Sequence, residues 1–148
     1  MTKTIIFDYD GTIHHTLGIY EPAFRETYQW LTEQKVTEER EIGSVEIAGW
    51  LGLNSKEMWN TFLPELDQSY KEQASRMVGD LMVRQIRKHK AVWYPGAEEM
   101  LTALKNRGYH LVILSNCKAS YREAHWKEFG MELSLIHISE PTRHAQIS

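Results

Sequence analysis

Residues 5–12 read IIFDYDGT, an apolar run that stops on two aspartates one residue apart, followed by glycine and threonine. Thr4-Ile5-Ile6-Phe7 has the nearly continuous apolar character of a short strand covered on both faces, as in a parallel sheet. A second run of this kind, Leu111-Val112-Ile113-Leu114, ends on Ser115-Asn116. Before it lies AEEMLTALKNR, with acidic residues early, Lys105 and Arg107 late, and Met100, Leu101 and Leu104 on one face. Pro95 and Gly96 open this helix and Gly108 closes it. A helix followed by an apolar strand is half of a βαβ unit, so the chain is expected to be α/β with a parallel sheet. KASYREAHWKEF, after Asn116, reads as a further helix stopped by Gly130.

Residues 13–92 differ in character and read as an all-helical insert. Phe24, Tyr28 and Leu31 fall at i, i+4, i+7, with Glu21-Pro22 as the expected helix start. Asn54 and Glu57 have capping-box spacing ahead of Met58, Trp59 and Phe62. A long helix from Asp67 to His89 carries Tyr70, Ala74, Met77 and Leu81 along one stripe. Aromatic residues at this spacing read as core.

The 148 residues are 42% hydrophobic and 25% charged, enough apolar content for a real core. A formal net charge of −3 provides no basic field for nucleic acid or an anionic membrane, and neither is an expected partner. No stretch approaches the roughly 20 apolar residues of a membrane span, and a lone cysteine, Cys117, suits a reducing compartment, so a cytoplasmic location is expected. Composition names no oligomeric state.

Each carboxylate of the opening stretch can be given a task. An aspartate at the carboxyl end of a parallel strand sits at the mouth of the sheet, where open α/β folds bind ligands. There Asp8 is suited to attack phosphorus in line, dividing hydrolysis into two easier steps through an aspartyl-phosphate. Asp10 is suited to protonate the leaving oxygen and then deprotonate water. Two anions facing an anionic phosphate need a divalent cation, and Mg²⁺, which favours oxygen ligands, is the expected one, held by Asp8 and Asp10. Gly11 would let the backbone approach the phosphate, Thr12 would offer a hydroxyl and an N–H, and Ser115 and Asn116 would hold phosphate oxygens. His14 and His15 read as solvated loop residues, and Cys117 as a small, partly buried side chain with no basic cluster to ionise it.

DYDGT at a strand end, the helical insert, and WYPGAEEMLTALKNRGYHLVILSN with its strand-ending serine together resemble the haloacid dehalogenase superfamily. The position of the insert resembles members with a helical cap, such as phosphoglycolate phosphatases and beta-phosphoglucomutases. The resemblance covers residues 3–131 and implies a Rossmann-like core, residues 1–12 with 93–132, carrying a cap at 13–92. It implies Asp8 as nucleophile, Asp10 as general acid/base and source of a backbone carbonyl to Mg²⁺, and Ser115 as phosphate ligand. The implied activity is hydrolysis of a small phosphorylated metabolite. A phosphomutase and a non-catalytic fragment are the alternatives.

The family's remaining motifs, a lysine and an acidic pair at later strand ends, are not found after Ser115. Residues 1–12 and 93–132 amount to 52 residues, against about 100 or more for a doubly wound domain. The tail from Leu133 to Ser148, LSLIHISEPTRHAQIS, resembles a translated sequencing adapter over Leu133–Arg143. Residues 133–148 are therefore expected to be non-native, and the chain to be a truncated and catalytically impaired form of a longer parent.

Overall fold

The computed structural model of the chain describes residues 3–131 and 136–139. The elements in chain order are β1 (Thr4–Asp8), α1 (Leu17–Glu33), α2 (Ser44–Ala48), α3 (Ser55–Phe62), α4 (Gln68–Arg87), α5 (Ala97–Asn106), β2 (His110–Ser115), α6 (Ala119–Phe129) and β3 (Ile136–Ser139). The three strands form one parallel sheet in the order β1-β2-β3, which bears out the α/β expectation. Asp8 pairs with Leu114, so β1 and β2 end at the same edge of the sheet. β3 comes from the tail expected to be non-native and pairs Val112 with Ile136 through Ser115 with Ser139. The rest of that tail lies outside the described residues. An open strand edge presents unpaired N–H and C=O groups, and a short apolar segment with alternating character is what such an edge recruits.

The chain divides into two compact units. One joins the residues up to Thr16 with the chain from Ile86 onward, and the other is Leu17–Gln85. Residues 13–16 and 86–92, grouped with the insert in the sequence reading, fall with the sheet because Ile13–His15 runs against Val92–Tyr94. His15 N–H donates to Val92 O at 2.8 Å, and Tyr94 N–H donates to Ile13 O at 2.8 Å.

In the sheet unit, Ile5, Phe7, Leu111 and Ile113 share one face and pack with Leu101 and Leu104 of α5, Trp126 and Phe129 of α6, and buried Tyr9 and Ile13. On the opposite face Val112 is buried, whereas Ile6 is 64% exposed and Leu114 40% exposed. β1 is therefore not covered on both faces as its apolar run suggests. Both described helices of this unit lie against the same core, which leaves Ile6 and Leu114 without a layer of their own.

α5 ends as its sequence predicts. Gly108 takes a left-handed φ of 83°, its N–H reaches Lys105 O at 2.9 Å, and Tyr109 N–H reaches Leu104 O at 3.2 Å. This pair of bonds satisfies carbonyls that the last turn would otherwise leave open.

In the helical unit, Phe24, Trp59, Leu31, Ile47 and Ala74 are fully buried, with Tyr70 and Met77 packed against them, so the aromatic stripe is core. The Asn54–Glu57 capping box is present in both directions, at 2.9 Å and 3.1 Å. The expected start of α1 at Glu21-Pro22 is corrected: the helix begins at Leu17 and Pro22 lies inside it. Proline there removes one N–H and crowds the carbonyl four residues back, which belongs to Gly18. Burial of Ile19, Ala23 and Phe24 on a continuous face outweighs that loss.

Candidate active site

The loop after β1 is organised around one carbonyl. Tyr9 O accepts from the N–H groups of Thr12 at 3.2 Å, Ile13 at 2.9 Å and His14 at 3.0 Å. Gly11 turns the chain with a φ of 77°, and a side chain added there would meet nothing within 4 Å. The left-handed φ alone favours glycine at this position. Gly11 N–H donates to His14 O at 2.9 Å and to Thr16 Oγ1 at 3.1 Å. The amides of Gly11 and Thr12, expected to face phosphate, are consumed by the turn, leaving the exposed Thr12 hydroxyl as the group offered outward.

Asp8 is exposed at the end of β1, and among the described residues its Oδ1 accepts from the neighbouring Tyr9 N–H, at 2.9 Å. Asp10 is turned inward. Its Oδ1 accepts from Tyr121 Oη at 2.7 Å, His14 Nδ1 at 2.9 Å and Thr16 Oγ1 at 3.1 Å. Burial alone would raise the Asp10 pKa, but the hydrogen bonds from His14 and Tyr121, with the charges of His14 and His125, hold it below the usual carboxylate range. Asp10 is therefore ionised. Burial, reinforced by the Asp10 charge, drives the Tyr121 phenol far above its ordinary value, so it remains a donor to that carboxylate.

His14 corrects the sequence reading outright. It is fully buried, not solvated, and pairs with Asp10. His15 is exposed, with its ring edge-on to Tyr94 at 5.3 Å. Behind His14 stands His125 of α6, 1% exposed, with ring centroids 4.4 Å apart. His125 Nδ1 bonds Tyr9 Oη at 2.8 Å, and Trp93 Nε1 donates to the same oxygen at 3.0 Å. Desolvation first, and the charge of His14 second, pull the His125 pKa down to about 3.

On the other strand Ser115 is buried and Asn116 exposed. Because Asp8 pairs with Leu114, Ser115 falls on the alternate face of the pleat. Its hydroxyl engages Cys117, whose thiol burial pushes upward in pKa despite that bond. Cys117 is half-buried, as its sequence context suggested, and is no thiolate. The sheet thus brings the ends of the Asp8 and Ser115 strands together, presents Asp8 and Asn116 outward, and holds Asp10 and Ser115 inside.

Tyr121, His125 and Thr16 are the residues that sequence reasoning passed over. A signal existed: Tyr121 and His125 lie four apart on α6, and His14 lies four after Asp10. Polar aromatic residues at that spacing mark one face, but only the fold shows that this face is the inner one.

The family profile of haloacid dehalogenase-like hydrolases matches residues 2–144. The chain belongs to this family. Its fold is shared by CbbY from Rhodobacter sphaeroides in complex with phosphate, at a TM-score of 0.71 and 20% identity, covering 94% of this chain and 64% of that one. It is also similar to the haloacid dehalogenase-like protein SP0104 from Streptococcus pneumoniae, at a TM-score of 0.77 and 18% identity, covering 95% and 62%. A phosphoglycolate phosphatase, so described from its sequence, of Haemophilus somnus gives 0.73 and 20%, covering 93% and 62%. A sequence search among curated proteins finds no match. The chain spans less than two thirds of the length of these solved relatives. Among the described residues, no helix is long and apolar enough to cross a membrane.

Proposed function

We propose that the protein from which this chain comes is a Mg²⁺-dependent phosphomonoester hydrolase acting on a small phosphorylated metabolite in the cytoplasm. The observation that carries the reading is Asp8: an exposed carboxylate at the carboxyl end of a parallel strand, beside the end of β2, in a chain of this family. The phosphate held by the similar CbbY supports the choice of substrate class.

Asp8 has one carboxylate oxygen tied to Tyr9 N–H, which fixes its orientation and leaves the second oxygen to attack phosphorus in line. The ester oxygen leaves and takes a proton, and water then cleaves the aspartyl-phosphate. Asp10 serves as the acid/base. Its three donors keep it ionised, the form that takes a proton from the attacking water. In the first step it must instead hold the proton that the leaving ester oxygen takes: an approaching phosphate dianion raises its proton affinity so that it enters protonated, and the water of the second step restores that proton. Thr12 and Asn116 offer outward-facing polar side chains for phosphate oxygens, while Ser115 would need to turn away from Cys117 to join them.

The residues present fit a hard cation. The exposed Asp8 carboxylate and the carbonyl of Asp10 are oxygen donors, and Mg²⁺ is commonly bound by one or two carboxylates while keeping several waters. When bound, it would screen the repulsion between Asp8 and the phosphate. The helical unit, residues 17–85, is the substrate-selecting cap in this reading. The chain spans less than two thirds of the length of its solved relatives, and the 148 residues alone are expected to turn over poorly.

The test is hydrolysis of an aryl phosphate by the full-length protein with and without Mg²⁺. Activity that is metal-dependent and abolished in Asp10→Asn supports the reading. Activity unchanged after chelation of the metal contradicts it.

A further inference from the structure

Behind the outward-facing Asp8 lies a second group of ligands, two of which, His14 and His125, have no role in the phosphatase reading. Asp10, His14 and His125 each offer one donor atom, and the three atoms lie within 4.8 Å of one another. His14 is 0% exposed and His125 1% exposed. The Nε2 atoms of both rings are buried and, among the described residues, have no hydrogen-bond partner. A buried polar atom without a partner is costly, so two on adjacent rings call for an explanation.

We propose that Asp10, His14 and His125 form a buried binding site for a divalent transition ion of the Zn²⁺ and Co²⁺ class. Two imidazoles and one carboxylate are a donor set that suits zinc, cobalt or nickel and is poor for magnesium, which prefers oxygen alone. The surrounding bonds match what metal-ligating groups need. Tyr9 Oη fixes the His125 ring through Nδ1 at 2.8 Å and is itself held by Trp93 Nε1 at 3.0 Å. Tyr121 and Thr16 fix the carboxylate of Asp10, at 2.7 Å and 3.1 Å. Such outer partners orient ligands, and their loss weakens metal affinity about 10- to 100-fold. An ion here would engage the Asp10 side chain and so inhibit the proposed hydrolysis, while the role of Asp8 stands apart from it.

The site is read directly by titrating the purified 148-residue chain with Co²⁺ and following its visible absorption, with Mg²⁺ in excess. One Co²⁺ per chain, insensitive to Mg²⁺, is expected. His14→Gln and His125→Gln should abolish the spectrum, Tyr9→Phe should weaken binding about 10- to 100-fold, and His89→Gln should leave it intact. Far-ultraviolet circular dichroism identifies which variants fold. If His14→Gln does not, His125→Gln and Asp10→Asn decide. Absence of Co²⁺ binding, or binding that survives in folded His125→Gln and Asp10→Asn, overturns the proposal. Neither result bears on Asp8, which is tested separately by turnover.

Discussion

Half-buried Asp10 and buried His125 make the stability of the folded chain depend on pH. His125 titrates at about 3 in the folded chain against an ordinary 6.5, so between those values the unfolded chain binds the extra proton. Stability is therefore full above about 6.5 and falls as pH drops toward 3, by about 1.4 kcal/mol per pH unit for this one group. Urea unfolding at pH 7 and pH 5 checks the sign: the midpoint should drop at pH 5, and His125→Phe should flatten that dependence. An equal drop in the variant would remove His125 as the cause. Asp10 acts in the same direction at lower pH, since its folded pKa is depressed and its contribution is lost as pH falls below the usual carboxylate range. Tyr121→Phe deletes a 2.7 Å bond to that carboxylate. With Asp10 only partly shielded from water, the expected loss is about 1 kcal/mol at pH 7, measured by urea unfolding. The Asp10 pKa, followed by carboxyl NMR, should move up.

At the scale of the element, local signals decide most of the boundaries. Asn54 and Glu57 exchange two hydrogen bonds at the start of α3, and Asn54→Ala should cost about 1 kcal/mol in urea unfolding. Gly108→Ala places a Cβ on a residue at φ 83°, a strain added to α5 that the same measurement should register as a loss of about 1 kcal/mol. These caps were legible because their chemistry spans only a few residues. Pro22 was misread for a complementary reason. Its local preference for a first turn was overruled by the apolar face that begins before it, and that face has value only once the helix packs. His14 failed in the same way. Nothing near it in the chain says that Tyr121, 111 residues after Asp10, closes over the same carboxylate. The strand ends and Asp8 were readable from a motif of eight residues, whereas the inward half of the site comes from α6 folding back.

At the scale of the whole molecule, one face of the sheet exposes apolar side chains among the described residues. Ile6 pairs with Val112, Leu114 lies two residues further along β2 on the same face, and both Ile6 and Leu114 are more than a third exposed. Exposed apolar surface next to a short sheet favours association, and Ile6→Thr should reduce aggregation measured by light scattering without lowering the unfolding midpoint by more than about 0.5 kcal/mol. The apolar run of β1 reads as a strand covered on both faces, whereas Ile6 in its middle is 64% exposed. The central claim concerns one side chain, Asp8, set at the sheet edge with an oxygen free to attack. It is tested most directly by comparing wild-type and Asp8→Asn full-length protein in hydrolysis of an aryl phosphate in saturating Mg²⁺. The account predicts that Asp8→Asn falls to the uncatalysed background while remaining folded, and turnover at the wild-type rate in that variant would contradict it.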